Sequence, residues 1–272
     1  MSTASPCTRG ARTRLARKLF FFDYDGTLAV PRTRTIPQST RDALQTLRDE
    51  GHFIALATGR LQCNAVDYID ALGIDNIVAD GGYSVTVDGK LVWMEPLALE
   101  PCRECLRRLE AAGIVWAVQL GNEMLRYTPF ADFDAIAGDY YVPTQVDPTL
   151  SIDGLDAIYK IYIPCKRADE AAFVASGVLD GVPWVRYNDD SVFVEPLSKA
   201  VGIKKMVDII GGSYSDVVVF GDGKNDISMF LPEWTSIAMG NAVPQLKEHA
   251  DYVTDDCDKD GIANACRHFG WI

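Results

Sequence analysis

The sequence predicts an α/β fold, a doubly wound parallel-sheet core with an inserted α+β lobe. Three observations carry this. Short, wholly apolar runs alternate with amphipathic helical segments at both ends of the chain. The middle shows alternating, hairpin-like patterns instead. Polar residues of an unusual kind stand directly after several of the apolar runs. Unbroken apolar runs suit strands covered on both faces by helices. A βαβ rhythm in two distant segments implies one sheet built from both.

Residues 1–17 are basic, with Arg9, Arg12, Arg14 and Arg17 ahead of any acid, and lack the apolar stretch of a secretory signal. A disordered tail or an upstream start is expected there, an organellar transit peptide being the alternative. The core is expected over 18–82 and 188–272. Leu19–Phe22 reads as its first strand. In "PQSTRDALQTLRDEG", Ser39 or Thr40 caps a helix, Ala43, Leu44 and Leu47 form its apolar stripe, and Gly51 ends it. Phe53–Ala57 and Ile77–Ala79 read as further strands. Residues 83–187 are assigned to the inserted lobe, with crossings near Gly82 and Tyr187. A hairpin is expected over 84–98 around Asp88-Gly89. It is followed by helical patterns at 101–112, 130–138 and 168–176, and strand patterns at 114–120, 157–163 and 192–195. "VGIKKMVDIIGG" then gives a helix stopped by glycines, and Val217–Phe220 and Ser236–Met239 complete the parallel strands.

The chain is 48% hydrophobic, with a formal net charge of −12 despite its basic head. So acidic a body repels nucleic acid and anionic membranes. No apolar run approaches the roughly 18 residues a membrane helix needs. Seven dispersed cysteines point to reduced thiols and a cytoplasmic location. Cys102 and Cys105 lie in an amphipathic helix without a second pair to complete a zinc site, which predicts core thiols. A monomer or weak homo-oligomer acting on a small molecule is expected, with no nucleic-acid or membrane partner.

Chemistry concentrates at strand ends. "FFFDYDGTLAV" delivers Asp23 and Asp25, the second strand delivers Thr58-Gly59-Arg60, and Val217–Phe220 delivers "GDGKND". In open parallel sheets ligands bind beyond the carboxyl ends of the strands. Asp23, Asp25, Asp222 and Asp226 would converge there, and four carboxylates cannot all ionise without a cation among them. An all-oxygen set favours a hard ion such as Mg²⁺. Thr58, the amides around Gly59 and a lysine would hold an anion. A calcium loop at Asp23 fails because Thr27 and Leu28 occupy required positions. "DDCDKDG" matches better through Asp256, Asp258, Asp260 and Gly261, but Arg267 stands where a bidentate Glu is needed, so it reads as a solvated acidic loop. The P-loop spacing and GxSxG are absent.

"DYDGTL", "ATGR", the lysine of "EPLSKAVGIKKM" and "GDGKNDISMF" are similar, in order and spacing, to the four motifs of haloacid dehalogenase (HAD) superfamily phosphatases. "AMGNAVPQLKEHADYVTDDCDKDGIANAC" resembles the C-terminal signature of their Cof-type branch, which carries a type 2 (IIB) cap. The resemblance covers nearly everything from Lys18 onward and is weakest inside the lobe. It implies Mg²⁺-dependent hydrolysis of a small phosphate ester, most plausibly a sugar phosphate, through an aspartyl-phosphate. Asp23 would be the nucleophile and Asp25 the general acid and base. The Asp23 carboxylate, the Asp25 backbone carbonyl and Asp222 would hold Mg²⁺. Thr58, Gly59, Asn225 and Lys199 would bind phosphoryl oxygens, Thr58 and Lys199 also serving catalysis, while Asp226 orients Lys199 or a metal-bound water. In "VADGGYS", Asp80 replaces the branch's usual Asn, with consequences expected for a Gly81-Gly82 hinge or the substrate entrance. Two alternatives stand: a mutase of the phosphomannomutase type, and a non-catalytic phosphometabolite sensor.

Overall fold

A computed structural model of the chain describes residues 17–69, 72–138 and 140–272, so the basic head, Arg17 apart, lies outside the described residues. The strands and helices in chain order are β1 (Leu19–Phe22), α1 (Gln38–Asp49), β2 (Phe53–Ala57), α2 (Gln62–Ile69), β3 (Ile77–Ala79), β4 (Ser84–Val87) and β5 (Lys90–Met94), then α3 (Leu99–Ala111), β6 (Ala117–Gln119), β7 (Arg126–Thr128), α4 (Phe133–Ala137), β8 (Thr144–Val146) and β9 (Lys160–Pro164). They continue with α5 (Glu170–Ala175), β10 (Trp184–Val185), β11 (Ser191–Val194), α6 (Lys199–Ile209), β12 (Val217–Gly221), β13 (Thr235–Ala238), α7 (Pro244–Lys247), β14 (Tyr252–Val253) and α8 (Gly261–His268). Among the described residues, no helix is long and apolar enough to cross a membrane.

The strands form two sheets. The first has the order β14-β13-β12-β1-β2-β3-β4-β5, parallel from β14 to β3 and antiparallel beyond. Alternate side chains of β1 enter opposite layers. Phe20 and Phe22 pack with Leu44 and Leu47 of α1 and Ile262 and Cys266 of α8. Leu19 and Phe21 pack with Ile203, Met206 and Val207 of α6. Each such buried side chain contributes about 1.5–3 kcal/mol. The apolar runs are therefore unbroken because both faces are covered, as the α/β expectation requires.

The second sheet, β10-β11-β9-β6-β7-β8, is antiparallel except for β7 with β8. One face packs on α3, where Cys102 and Cys105 are buried free thiols beside Leu106 and Leu109. The other face carries Ala117, Tyr162 and Phe193 against Phe133.

The expected lobe limits do not coincide with these sheets. The hairpin β4–β5 pairs with β3 and extends the first sheet, because Val85 packs into that sheet's core. β11, placed beyond the expected crossing near Tyr187, belongs to the second sheet. The second crossing thus lies between β11 and α6, near residues 195–198. There the glycine pair has a packing role. Gly81 (φ +61) and Gly82 (φ +110) are buried, and a Cβ on either would lie 1.9 Å from the Pro196 carbonyl oxygen or 2.1 Å from that of Ser198. The two crossings therefore press backbone to backbone, which is the geometry of a tight turn as much as of a hinge. Proline at Gly82 would violate both φ and space.

Gly82→Ala should cost about 2–5 kcal/mol, the sum of positive-φ strain and forced displacement. Gly89→Ala, at φ +73 with nothing within 4 Å, should lose about 1–2 kcal/mol. Urea unfolding of both variants checks this; equal losses would show that the contact with Ser198 does not tighten the crossing.

Candidate active site

β1 lies between β12 and β2, and the chain moves from β1 to β2 on one side and from β12 to β13 on the other, so the carboxyl ends of β1 and β12 open on a crevice. The Asp23 N–H donates to the Phe220 carbonyl at 2.9 Å, carrying the β1–β12 ladder one residue past the strand. The chain then turns, with Gly26 at φ +93. A Cβ at Gly26 would stand 2.2 Å from Asp222 Oδ2, so glycine alone lets the two strand ends meet. Thr27 Oγ1 donates to Asp222 Oδ1 at 3.2 Å.

Lys199 opens α6 from below. Its Nζ donates to Asp23 Oδ1 at 2.6 Å and to Asp226 Oδ1 at 2.5 Å, and all three residues are buried. Asp226 Oδ2 accepts the N–H groups of Asp222 and Gly223 at 2.9 and 2.8 Å. Ligand oxygens of Asp23, Asp222 and Asp226 lie within 4.8 Å of one another. Burial, then the charge of Asp226, raises Asp23 well above the usual carboxylate range against the pull of Lys199. The same two causes push Asp222 up to about 7. Asp226 and Asp23 override burial and hold Lys199 in its charged form. One lysine facing three carboxylates leaves negative charge in a water-poor crevice. A hard divalent cation fits that all-oxygen set.

Asp25 departs from this cluster. Its side chain is 49% exposed, and Arg60 Nε and Nη2 grip both carboxylate oxygens at 2.8–3.0 Å. Thr58 is buried, with its Oγ1 accepting the Arg60 N–H at 3.2 Å. Asn225 sits beside Gly59, its Nδ2 4.0 Å from where a Cβ would be. Asp23, Asp25, Thr58, Gly59, Asp222 and Asn225 line one cavity of about 720 Å³, and Lys199 lies beneath it. Tyr140, Tyr141, Lys160 and Tyr187, from the second sheet and its loops, close the far side.

Sequence reasoning missed several of these. Asn241 Nδ2 donates to the Gly26 carbonyl at 2.8 Å and to Asp222 Oδ2 at 3.4 Å, while its Oδ1 accepts the Cys257 N–H at 2.8 Å. Its position just past β13, in "MGNA", was the available signal. Asp80 lines no part of the cavity. Buried at φ +50, it accepts from Ser84 Oγ at 2.7 Å and from the Gln62 N–H at 3.1 Å, and burial pushes its pKa up to about 6. Gln62 Oε1 in turn accepts from Asn122 of the second sheet's β6–β7 loop at 2.6 Å. Asp80 therefore anchors the start of α2, which docks that loop.

Residues 20–266 match the model of the haloacid dehalogenase-like hydrolase family. YkrA of Bacillus subtilis is 32% identical over 257 residues, covering 94% of this chain and 98% of its own. BT4131, described as a sugar phosphatase of HAD subclass IIB, has a TM-score of 0.74 at 26% identity, over 94% of this chain and 100% of its own. BT1666 of Bacteroides thetaiotaomicron, described among HAD phosphatases, has a TM-score of 0.78 at 26% identity, over 99% and 100%.

The raised carboxyls have a consequence for stability. Asp222 keeps its proton in the folded chain over a window from its ordinary value of 3.8 to about 7, where the unfolded chain has released it, and Asp23 is raised in the same direction. Stability conferred by those protons is complete below that window and is lost as pH rises through it. In EDTA the melting temperature should therefore fall between about pH 5 and about pH 7.5, and excess Mg²⁺ should cancel the fall. Asp222→Asn should flatten the slope; an unchanged slope in that variant would place its origin elsewhere.

Proposed function

Since this chain belongs to the haloacid dehalogenase-like hydrolases, as a phosphoric monoester hydrolase of their Cof-type branch, we propose that it hydrolyses a small sugar phosphate through an aspartyl-phosphate on Asp23. The observation that carries this is Lys199 bridging Asp23 and Asp226 at the carboxyl end of β1. That bridge fixes Oδ1 of Asp23 and leaves Oδ2 as the oxygen that attacks phosphorus. A carboxylate nucleophile splits a difficult hydrolysis into two easier transfers.

Asp23, Asp222 and the Asp25 backbone carbonyl would hold Mg²⁺, which when bound supplies neutralising charge between the nucleophile and the phosphoryl dianion. Asp226 is better suited to support than to ligation. Lys199 takes one of its oxygens and two backbone N–H groups take the other. Thr58, the Gly59 amide, Asn225 and Lys199 bind the phosphoryl oxygens. In the first transfer the Asp23–phosphorus bond forms, the ester P–O bond breaks, and Asp25 gives its proton to the leaving oxygen. In the second, water attacks phosphorus, Asp25 takes its proton, and Asp23 is released as carboxylate. Arg60 must let go of Asp25 for either transfer, because it occupies both oxygens. The second sheet serves as a cap, its tyrosine-lined face excluding water from the aspartyl-phosphate.

The mutase alternative needs cationic groups on the cap for a second phosphate. Arg103, Arg107, Arg108, Arg126 and Arg167 are instead bound to acids or carbonyls of the second-sheet region itself. Lys160, which does line the cavity, is paired with Glu195.

Hydrolysis of p-nitrophenyl phosphate should require Mg²⁺ and vanish in EDTA. Asp23→Asn should be inactive, and Asp25→Asn should lose about 10²–10⁴-fold in turnover, the usual share of general acid–base catalysis. Full activity in Asp23→Asn would overturn the mechanism. Inactivity of the wild type on a broad ester panel would favour the sensor, and conversion of mannose 1-phosphate to its 6-phosphate isomer would favour the mutase.

A further inference from the structure

Alternation along β9 sends Ile161 and Ile163 towards α3 and leaves Lys160 and Tyr162 on the opposite, cavity-facing side. Lys160 and Glu195 are almost wholly buried, with 5% and 4% of their side chains exposed, and form an ion pair. The other oxygen of Glu195 accepts from Tyr187 Oη. Rings of Tyr162, Tyr187 and Phe193 stand 5.6, 5.8 and 4.9 Å from Lys160 Nζ. Tyr187 also reaches the catalytic side, since a Cβ at Gly59 would lie 3.1 Å from its hydroxyl. Lys160 and Tyr187 line the cavity, and Glu195 stands behind them.

A buried ion pair is a weak device for stability, because desolvation offsets most of its attraction. Its arrangement here suits recognition. Glu195 meets the charge of Lys160 but leaves the ammonium with further N–H donors. Tyr187 donates its proton to Glu195, so its oxygen lone pairs remain as acceptors. The cavity wall therefore offers a donor and an acceptor with no net charge, between tyrosine rings and next to the phosphoryl end. A neutral hydroxyl accepts from Lys160 and donates to Tyr187; a second phosphate would find the lysine's charge already met.

We propose that Lys160 and Tyr187, held by Glu195, form a leaving-group subsite that reads a hydroxyl beside the phosphoester and selects polyhydroxylated leaving groups. This rests on the phosphatase reading above and assigns its specificity to named residues. Lys160 and Tyr187 touch the leaving group, and Glu195 positions them.

The test compares the best ester from a panel of hexose, pentose and tetrose phosphates with a hydroxyl-free counterpart such as cyclohexylmethyl phosphate. The wild type should favour the sugar ester by about 10²-fold or more in kcat/KM, since a site built to hydrogen-bond a hydroxyl rejects analogues lacking it. Lys160→Met should shrink that ratio by about 10-fold or more, and Glu195→Gln should act mainly by raising KM for the sugar ester. If Lys160→Met does not fold, the double variant with Glu195→Gln removes both charges together and carries the same expectation. Equal kcat/KM for the two esters in the wild type, or an undiminished ratio in folded variants, overturns the subsite. Turnover of neither ester nor p-nitrophenyl phosphate would overturn the phosphatase reading instead.

Discussion

Three carboxylates and one ammonium, gathered at the ends of β1, β12 and α6, set the terms for the surrounding structure. Lys199 is buried between Asp23 and Asp226, so removing the lysine would strand their negative charge at a cost of about 3–5 kcal/mol. The backbone is shaped to bring these groups together. Glycine at position 26 admits Asp222, and glycine at position 221 admits Asp226, whose Cβ would lie 2.6 Å from a Cβ placed there. Asp226 is then pinned by two N–H groups, and Asn241 ties the Gly26 turn to the loop carrying Cys257. The cluster remains net negative after all of this. Burial first and this negative charge second raise its carboxyl pKa values, and the same negative charge suits it to a divalent cation.

A chain of polar contacts links the second sheet to the first. Asp80, in a left-handed conformation, holds the first amide of α2, and Gln62 of α2 reaches Thr86 of the core hairpin and Asn122 of the second sheet's loop. Directional contacts of this kind fix where a loop sits while keeping few atoms in contact. Tyr187 also approaches the Gly59 backbone closely, at the cavity itself, with no hydrogen bond between them among the described residues.

Much of the first sheet was legible because its strands are unbroken apolar runs that end in chemistry. Asp23, Thr58, Gly59, Asp222 and Asn225 each follow such a run closely, and proximity to a strand end is a signal that sequence can carry. The short strands β7, β8 and β10 span two or three residues and carry no period long enough to read. Lys160, Tyr187 and Glu195 come from separate segments, so only the antiparallel pairing of β9 with β11 brings them together. The hairpin expected over 84–98 forms at 84–94 but joins the first sheet rather than the lobe, since alternation reveals a strand pair and not the sheet it joins. The acidic loop "DDCDKDG" resolves into a turn that starts α8, with Asp256 paired to Lys259 and Asp255 to Asn264. A Cβ at Gly261 would lie 2.2 Å from the Asp255 carbonyl oxygen, which explains the glycine without invoking calcium.

Asp23 and Asp25 stand two residues apart, yet their environments differ in the way their proposed roles require. Asp23 is buried with its carboxylate oriented by Lys199, which suits a nucleophile whose position must be fixed before phosphorus approaches. Asp25 lies past the turn at the crevice wall, half-exposed and held by an arginine whose guanidinium also covers the Tyr24 ring. A proton carrier that serves the leaving oxygen first and the attacking water second must reach solvent between the two. Burial would deny it that exchange, and a free carboxylate beside three others would be repelled from the site. The Arg60 pair answers both needs, because a partly exposed ion pair can open at a cost of about 1 kcal/mol or less. The proposed nucleophile and proton carrier are thus separated by solvent access and by choice of cation rather than by distance along the chain.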